Sequence, residues 1–214
     1  EPVKKELICW IGLESKVKVI NNGINLRSFK KSKRLNFSLS EKEKINIGMS
    51  GRFVLQKDHE TLIKSLNEIH ENVNLFLFGD GPLLNELKLL VKKLNLTERV
   101  IFKGWVNDIN KELDKIDLYV QSSNWEGFGL SVVEAMAKGI PVLGSKVPGL
   151  KEVIGSNKYL FKKNSKNQLV EKINFILDSD QNYYLASDYA LKMSRKYSEE
   201  LMIENYLDLY KNLS

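Results

Sequence analysis

Glu126 and Glu134 stand eight positions apart in "SSNWEGFGLSVVEAMAKGIPVLGS", residues 122–145. The first carboxylate precedes Gly127 and Gly129; the second lies among Val132, Val133, Ala135 and Met136. A carboxylate in an apolar helix face is costly unless donors such as hydroxyl groups satisfy it. Small residues just before a helix leave its first amides and the positive end of its dipole open to an anion. Together these features suit a ligand that is anionic in one part and hydroxyl-rich in another, as a nucleotide sugar is. On spacing alone Glu134 also reads as an ordinary helix-face glutamate.

Two cations extend the pattern. Arg52 and Lys57 share the stretch "SGRFVLQKDHE". Arginine offers a planar fork and lysine a mobile point charge, a pairing that suits a diphosphate, although both residues read equally as surface cations. In "GDGPLL", Gly79 and Gly81 let backbone approach a ligand and Pro82 suits a first helical turn; a plain strand-to-helix turn has the same composition. Neither this stretch nor "GFGL" is a dinucleotide fingerprint, because Leu84 and Val132 occupy the third glycine positions. His59 and His70 fit a helix start and a helix end, which are structural places.

The elements that must position these residues follow from periodicity. Apolar runs predict strands over residues 45–50, 73–79, 99–104, 117–123 and 140–145, with a short sixth within "KYLFK". Helical spacing is present over residues 59–70, 82–96 and 131–138. Ser165 and Gln168 have capping-box spacing before another helix. Residues 181–214 read as helical, with Met202, Tyr206, Leu209, Tyr210 and Leu213 on one stripe. Residues 30–44 read as a long polar loop. Strand–helix alternation predicts an α/β fold: a Rossmann-like parallel sheet with helices on both faces. Ligands of such sheets bind beyond the carboxyl ends of the strands, on the loops named above.

Bulk properties bound the function. The chain has 214 residues, enough for one domain with a real core, and its 43% hydrophobic and 28% charged residues are those of a globular protein. A net charge of +6 fits nucleic acid, an anionic membrane surface or a phosphate-bearing ligand. The dense run "FKKSKR" lacks interleaved aromatics, which argues for a solvated loop and against nucleic acid. Cys9 is the single cysteine, so no intrachain disulfide and no cysteine zinc site forms. No apolar run has the length of a membrane span. The start "EPVKKELICWIG" has neither Met nor a leader pattern, so the chain reads as a piece of something longer.

The stretch "EGFGLSVVEAMAKGIPVLGS" resembles the Glu-x7-Glu signature of the retaining glycosyltransferases of family 4, which have the GT-B fold. Further pieces resemble that family in its order: "VINNGIN", "GRFVLQKDHETLI", "FLFGDGP", "VIFKGWVND" and "VPGLKEVI". The resemblance covers nearly the whole chain; it departs at Asn25, where the family carries Asp. It implies that residues 1–214 are the C-terminal, donor-binding domain of a two-domain enzyme. Residues 1–29 would lead into that domain, and helices within 181–214 would pack on an absent N-terminal acceptor domain.

By the same resemblance Glu126 would hold the donor sugar and Glu134 the ribose hydroxyls. Arg52 and Lys57 would hold the diphosphate and stabilise the leaving group as its charge grows, so these two and Glu126 would be catalytic. Backbone at Gly127, Phe128, Gly129, Leu130 and Ser131 would complete the anion site, with Gly81 beside the nucleotide and the base near residues 103–106, Val106 included. The implied donor is a UDP-sugar, with a GDP-sugar as the alternative; no metal and no other cofactor is implied. The acceptor would be a glycan or lipid-linked molecule of bacterial surface polysaccharide synthesis, such as capsule or lipopolysaccharide. The place of action would be the cytoplasm, at the inner face of the membrane through peripheral association. Two rival readings are a stand-alone nucleotide-sugar binding module and a nucleotide-sugar epimerase.

Overall fold

The computed structural model describes residues 17–29, 38 and 43–212. The expectations for Cys9, for most of the 30–44 loop and for Leu213 lie outside these residues.

Six parallel strands form one sheet: β1 (Ile45–Ser50), β2 (Val73–Phe78), β3 (Val100–Gly104), β4 (Leu118–Gln121), β5 (Val142–Ser145) and β6 (Leu160–Phe161), in the order β3-β2-β1-β4-β5-β6. Each strand sits where an apolar run predicts it. The chain adds strands outward from β1 to one edge, then returns to β4 and builds to the other. β1 and β4 lie side by side, Ile47 opposite Leu118 and Gly48 opposite Tyr119. The reversal opens a crevice at their carboxyl ends, where such sheets bind ligands.

Helices α1 (His59–Ser65), α2 (Leu84–Lys93), α4 (Leu130–Ala137) and α6 (Lys166–Leu177) answer to the expected periodic stretches. The first is shorter than its pattern, because the chain tightens into a 3-10 turn at Leu66–Glu68. Two five-residue helices, α3 (Ile109–Leu113) and α5 (Leu150–Ile154), were not expected. So short a helix repeats its apolar face hardly once, and caps decide it instead. Asp108 caps α3 by accepting from the Lys111 amide at 3.3 Å. At α6 half of the expected capping box forms. Ser165 accepts from the Gln168 amide at 3.4 Å, but the Gln168 side chain accepts from the Lys162 amide at 2.8 Å.

The core lies on both faces of the sheet. Ile47, Met49, Leu75, Leu77, Leu118 and Val120 have no or almost no exposed surface, and α4 buries Val132, Val133, Ala135 and Met136. The tail expected to face another domain divides in two. Helix α7 (Asp180–Ser194) packs on α4 and α6, burying Tyr183, Ala186 and Ala190, and the Tyr183 hydroxyl donates to the Asp117 carbonyl at 3.0 Å. Helix α8 (Glu199–Lys211) buries none of its residues and leaves Leu201, Ile203, Tyr206, Leu207 and Tyr210 exposed. Among the described residues no helix is long and apolar enough to cross a membrane.

His59 packs inside, edge-on to Phe53 with ring centroids 4.7 Å apart, and has 2% of its surface exposed. Burial, helped by the charge of Lys57, lowers its pKa from 6.5 to about 4. The unfolded chain therefore takes up this proton first. Stability from the neutral ring is complete above pH 6.5 and is lost as pH falls toward 4, by about 2 kcal/mol at pH 5. The melting temperature should fall less between pH 7 and pH 5 in His59→Leu than in the unmodified chain; equal falls would refute the assignment.

Candidate functional site

The loops leaving β1, β2 and β3 enclose a cleft of about 500 Å3 that extends to the side of α4. Its walls include Ser50, Gly51 and Arg52 from β1, Phe78, Gly79 and Asp80 from β2, and Trp105, Val106 and Ile109 beyond β3. Glu134 closes it from α4. The β1 and β2 loops touch so closely that a Cβ at Gly79 would lie 2.2 Å from the Gly51 carbonyl oxygen, and Gly79 has φ +129°. Only glycine meets both conditions.

Of the expected site residues, Arg52, Val106 and Glu134 share this cleft. Glu134 is half-buried, and its carboxylate has no hydrogen bond or ion pair with another described residue. Burial pushes its pKa above the ordinary carboxylate value. Arg52 is exposed. It forms no ion pair with a described residue. Gly81 does not line the cleft: its Cα abuts the Phe53 backbone, where a Cβ would approach to 2.6 Å. Trp105, 83% exposed, is a wall residue that periodicity does not reveal, because it sits on a loop.

Lys57 and Glu126 meet across the β1 and β4 loops, 69 positions apart, with Nζ 2.5 Å from Oε2. Their side chains are only 18% and 11% exposed. Polar bonds tie the two loops together. The Asn124 amide donates to the Gln56 carbonyl at 2.7 Å, and the Gln56 side chain donates to the Trp125 carbonyl at 3.1 Å. Ser122 Oγ donates to the Asp58 carbonyl at 2.8 Å. The turn before α5 braces the same loop, since a Cβ at Gly149 would lie 2.3 Å from the Glu126 carbonyl oxygen.

Gly129 opens α4 in the left-handed region at φ +96°, and no side chain caps the helix. Its first amides thus lack a side-chain acceptor, as an anion site requires. A side chain at Gly127 would meet nothing within 4 Å. Phe128 instead packs edge-on against Tyr197 at 5.3 Å, and Leu130 is 44% exposed. Beneath Ser131 the Tyr119 hydroxyl is fully buried. Burial raises its pKa, hydrogen bonding to Ser131 and Ser50 opposes the rise, and the charge of Glu134 adds to it. Among the described residues no group of three or more His, Cys, Asp and Glu side chains is placed to hold a metal ion.

Residues 30–195 match the family described as glycosyl transferases group 1. A glycosyltransferase of Methanocaldococcus jannaschii is 33% identical over 229 residues, 97% of this chain and 57% of that protein. The poly(ribitol-phosphate) alpha-N-acetylglucosaminyltransferase of Staphylococcus aureus is 29% identical over 180 residues, 79% of this chain and 36% of its own length. The chain spans about half the length of the curated relatives it matches. The crystal structure of Anabaena HepE in complex with UDP superposes with a TM-score of 0.88 at 24% identity, over 98% of this chain and 61% of that one. That likeness is one of fold, a Rossmann-like layer of GT-B type. On the family match, which takes in both glutamates, both cations and the whole sheet, this chain belongs to the group 1 glycosyl transferases.

Proposed function

We propose that this chain is the donor-binding domain of a retaining, family 4 glycosyltransferase that takes its sugar from a UDP-sugar. The observation that carries this reading is Glu134: a half-buried carboxylate with no partner among the described residues, on the wall of the cleft that Arg52 enters. Such a group is costly without donors, and ribose hydroxyls supply them. In this reading the nucleotide lies in the cleft with its base against Val106 and Trp105. Its diphosphate reaches Arg52, Lys57 and the open amides of α4. The bond between the sugar and the β-phosphate breaks with its electron pair on phosphate, and the two cations stabilise the charge that develops there. Glu126 holds the sugar while the oxygen of an acceptor hydroxyl bonds to its anomeric carbon and the hydroxyl proton passes to the departing phosphate oxygen. The domain that brings the acceptor would lie outside this chain and cover the apolar stripe of α8.

The relative named for a poly(ribitol-phosphate) acceptor supports a surface glycan or lipid-linked acceptor here, and its alpha product fits retention. The net charge of +6 supports action at the inner, anionic face of a membrane. Calorimetric titration with UDP, GDP and ADP tests the donor. UDP should bind best, Glu134→Ala should weaken it about tenfold, and Trp105 fluorescence should change on binding. Failure of all three nucleotides to bind would overturn the reading.

A further inference from the structure

A strand covered on both faces ordinarily reads as a continuous apolar run. β4 begins so, but Tyr119, Gln121, Ser122 and Ser123 along it and just after it are polar and have no exposed surface. Buried polar atoms persist where they are hydrogen-bonded. Three of these four side chains are bonded in a line that leads to Glu126, with one branch from the Tyr119 hydroxyl to Ser131. The Ser50 amide donates to the Tyr119 hydroxyl oxygen at 3.0 Å, and Ser50 Oγ lies 2.9 Å from the same atom. The Tyr119 hydroxyl donates to Gln121 Oε1 at 3.2 Å. Gln121 Nε2 donates to Ser123 Oγ at 2.9 Å, and Ser123 Oγ donates to Glu126 Oε2 at 3.2 Å.

The direction of this line is forced. An ionised carboxylate only accepts, so the Ser123 hydrogen points at Glu126. The Ser123 oxygen then accepts, which turns the amide nitrogen of Gln121 toward it and the amide oxygen toward Tyr119. Tyr119 in turn donates, and the Ser50 hydroxyl can only donate to it. Every hydrogen in the line points toward Glu126. Oε2 of Glu126 thereby receives Ser123 and Lys57, while Oε1 has no partner among the described residues. The two oxygens therefore differ: Oε2 is anchored, and Oε1 is not bonded to any described residue.

We propose that Gln121 is a positioning residue. Through Ser123 it fixes the rotamer of Glu126 so that Oε1 faces the hydroxyls of the transferred sugar. The proposal rests on the reading of Glu126 as the sugar contact. It predicts a split that a merely structural network does not. Gln121→Met keeps the length of the side chain and removes both hydrogen bonds; Ser123→Ala removes the last donor in the line. Neither Gln121 nor Ser123 lines the cleft that takes the nucleotide.

The chain would be titrated with UDP and with UDP-glucose, UDP-galactose and UDP-N-acetylglucosamine. In both variants the gain in affinity of the preferred UDP-sugar over UDP should fall about tenfold, with UDP itself held within about twofold. Ser123→Ala, the smaller change, keeps the test open should Gln121→Met fail to fold. A folded variant that keeps the full gain overturns the proposal. If the unmodified chain binds no nucleotide, or gains nothing from the sugar, the donor reading fails and hydrogen exchange decides the relay alone. Faster exchange confined to residues 122–127 in Gln121→Met then supports it, and unchanged exchange overturns it.

Discussion

Gly79→Ala is expected to lower the unfolding free energy by about 3 kcal/mol and to abolish nucleotide binding by this chain. At φ +129° an alanine is strained whatever room it has, and here its Cβ would lie 2.2 Å from the Gly51 carbonyl oxygen. That oxygen belongs to backbone, so it cannot swing aside as a flexible side chain would. The Gly51 amide donates to the Phe78 carbonyl at 2.9 Å and the Gly79 amide to the Gly104 carbonyl at 2.8 Å, so relief would break the ladder where β1, β2 and β3 end. Those ends are the walls of the cleft. In a chain of 214 residues the loss corresponds to a fall of about 10 °C in melting temperature. Gly127→Ala is the control: a Cβ there meets nothing within 4 Å, so stability should change by less than about 0.5 kcal/mol. Equal melting of the two variants would refute the argument.

The second large effect is a pair of opposite outcomes at one ion pair. Lys57→Ala should weaken UDP binding about 100-fold, because it removes a charge-assisted contact to the diphosphate and leaves Glu126 nearly buried without its cation. Glu126→Gln should act the other way on UDP. At present Lys57 is held 2.5 Å from Glu126 Oε2, so a diphosphate must compete with a carboxylate for the same ammonium group. A neutral amide competes less, and UDP should bind several-fold more tightly. The same variant should lose the extra affinity for the sugar, since the carboxylate that accepts from sugar hydroxyls is gone. Titration of both variants with UDP reads the sign directly. If Glu126→Gln weakens UDP as Lys57→Ala does, the carboxylate is a nucleotide contact and the division of roles between Glu126 and Lys57 is wrong.

Much of this was legible in the residues themselves. Apolar runs such as "INIGMS" and "VNLFLF" mark β1 and β2 because a parallel strand buries both of its faces, and the stretch around Glu126 and Glu134 carries a motif. Periodicity reveals α1, α2, α4 and α6, each of which buries apolar residues along one face or more, and misses α3 and α5, which are too short to repeat a face. It also reads residues 181–214 as one kind of segment, although α7 is core and α8 carries an exposed apolar stripe. Amphipathic spacing says that a helix has a face to bury, not what will cover it.

What the sequence by itself determined is the alternation of strands and helices, and the residue types that can hold phosphate and hydroxyl groups. What only the tertiary structure decided is which of them meet. Lys57 and Glu126 are 69 positions apart and become partners because the sheet reverses its order between β1 and β4. Gly79 and Gly81 look alike in "GDGP", yet Gly79 lines the cleft and Gly81 presses on the Phe53 backbone. Gln121 and Ser123 look like the frayed end of a strand until their hydrogen bonds are followed to Glu126. The physical reason is the same in each case. Local pattern records how one segment divides between water and core, whereas a site is made where loops from distant segments come within hydrogen-bonding distance, and that depends on strand order.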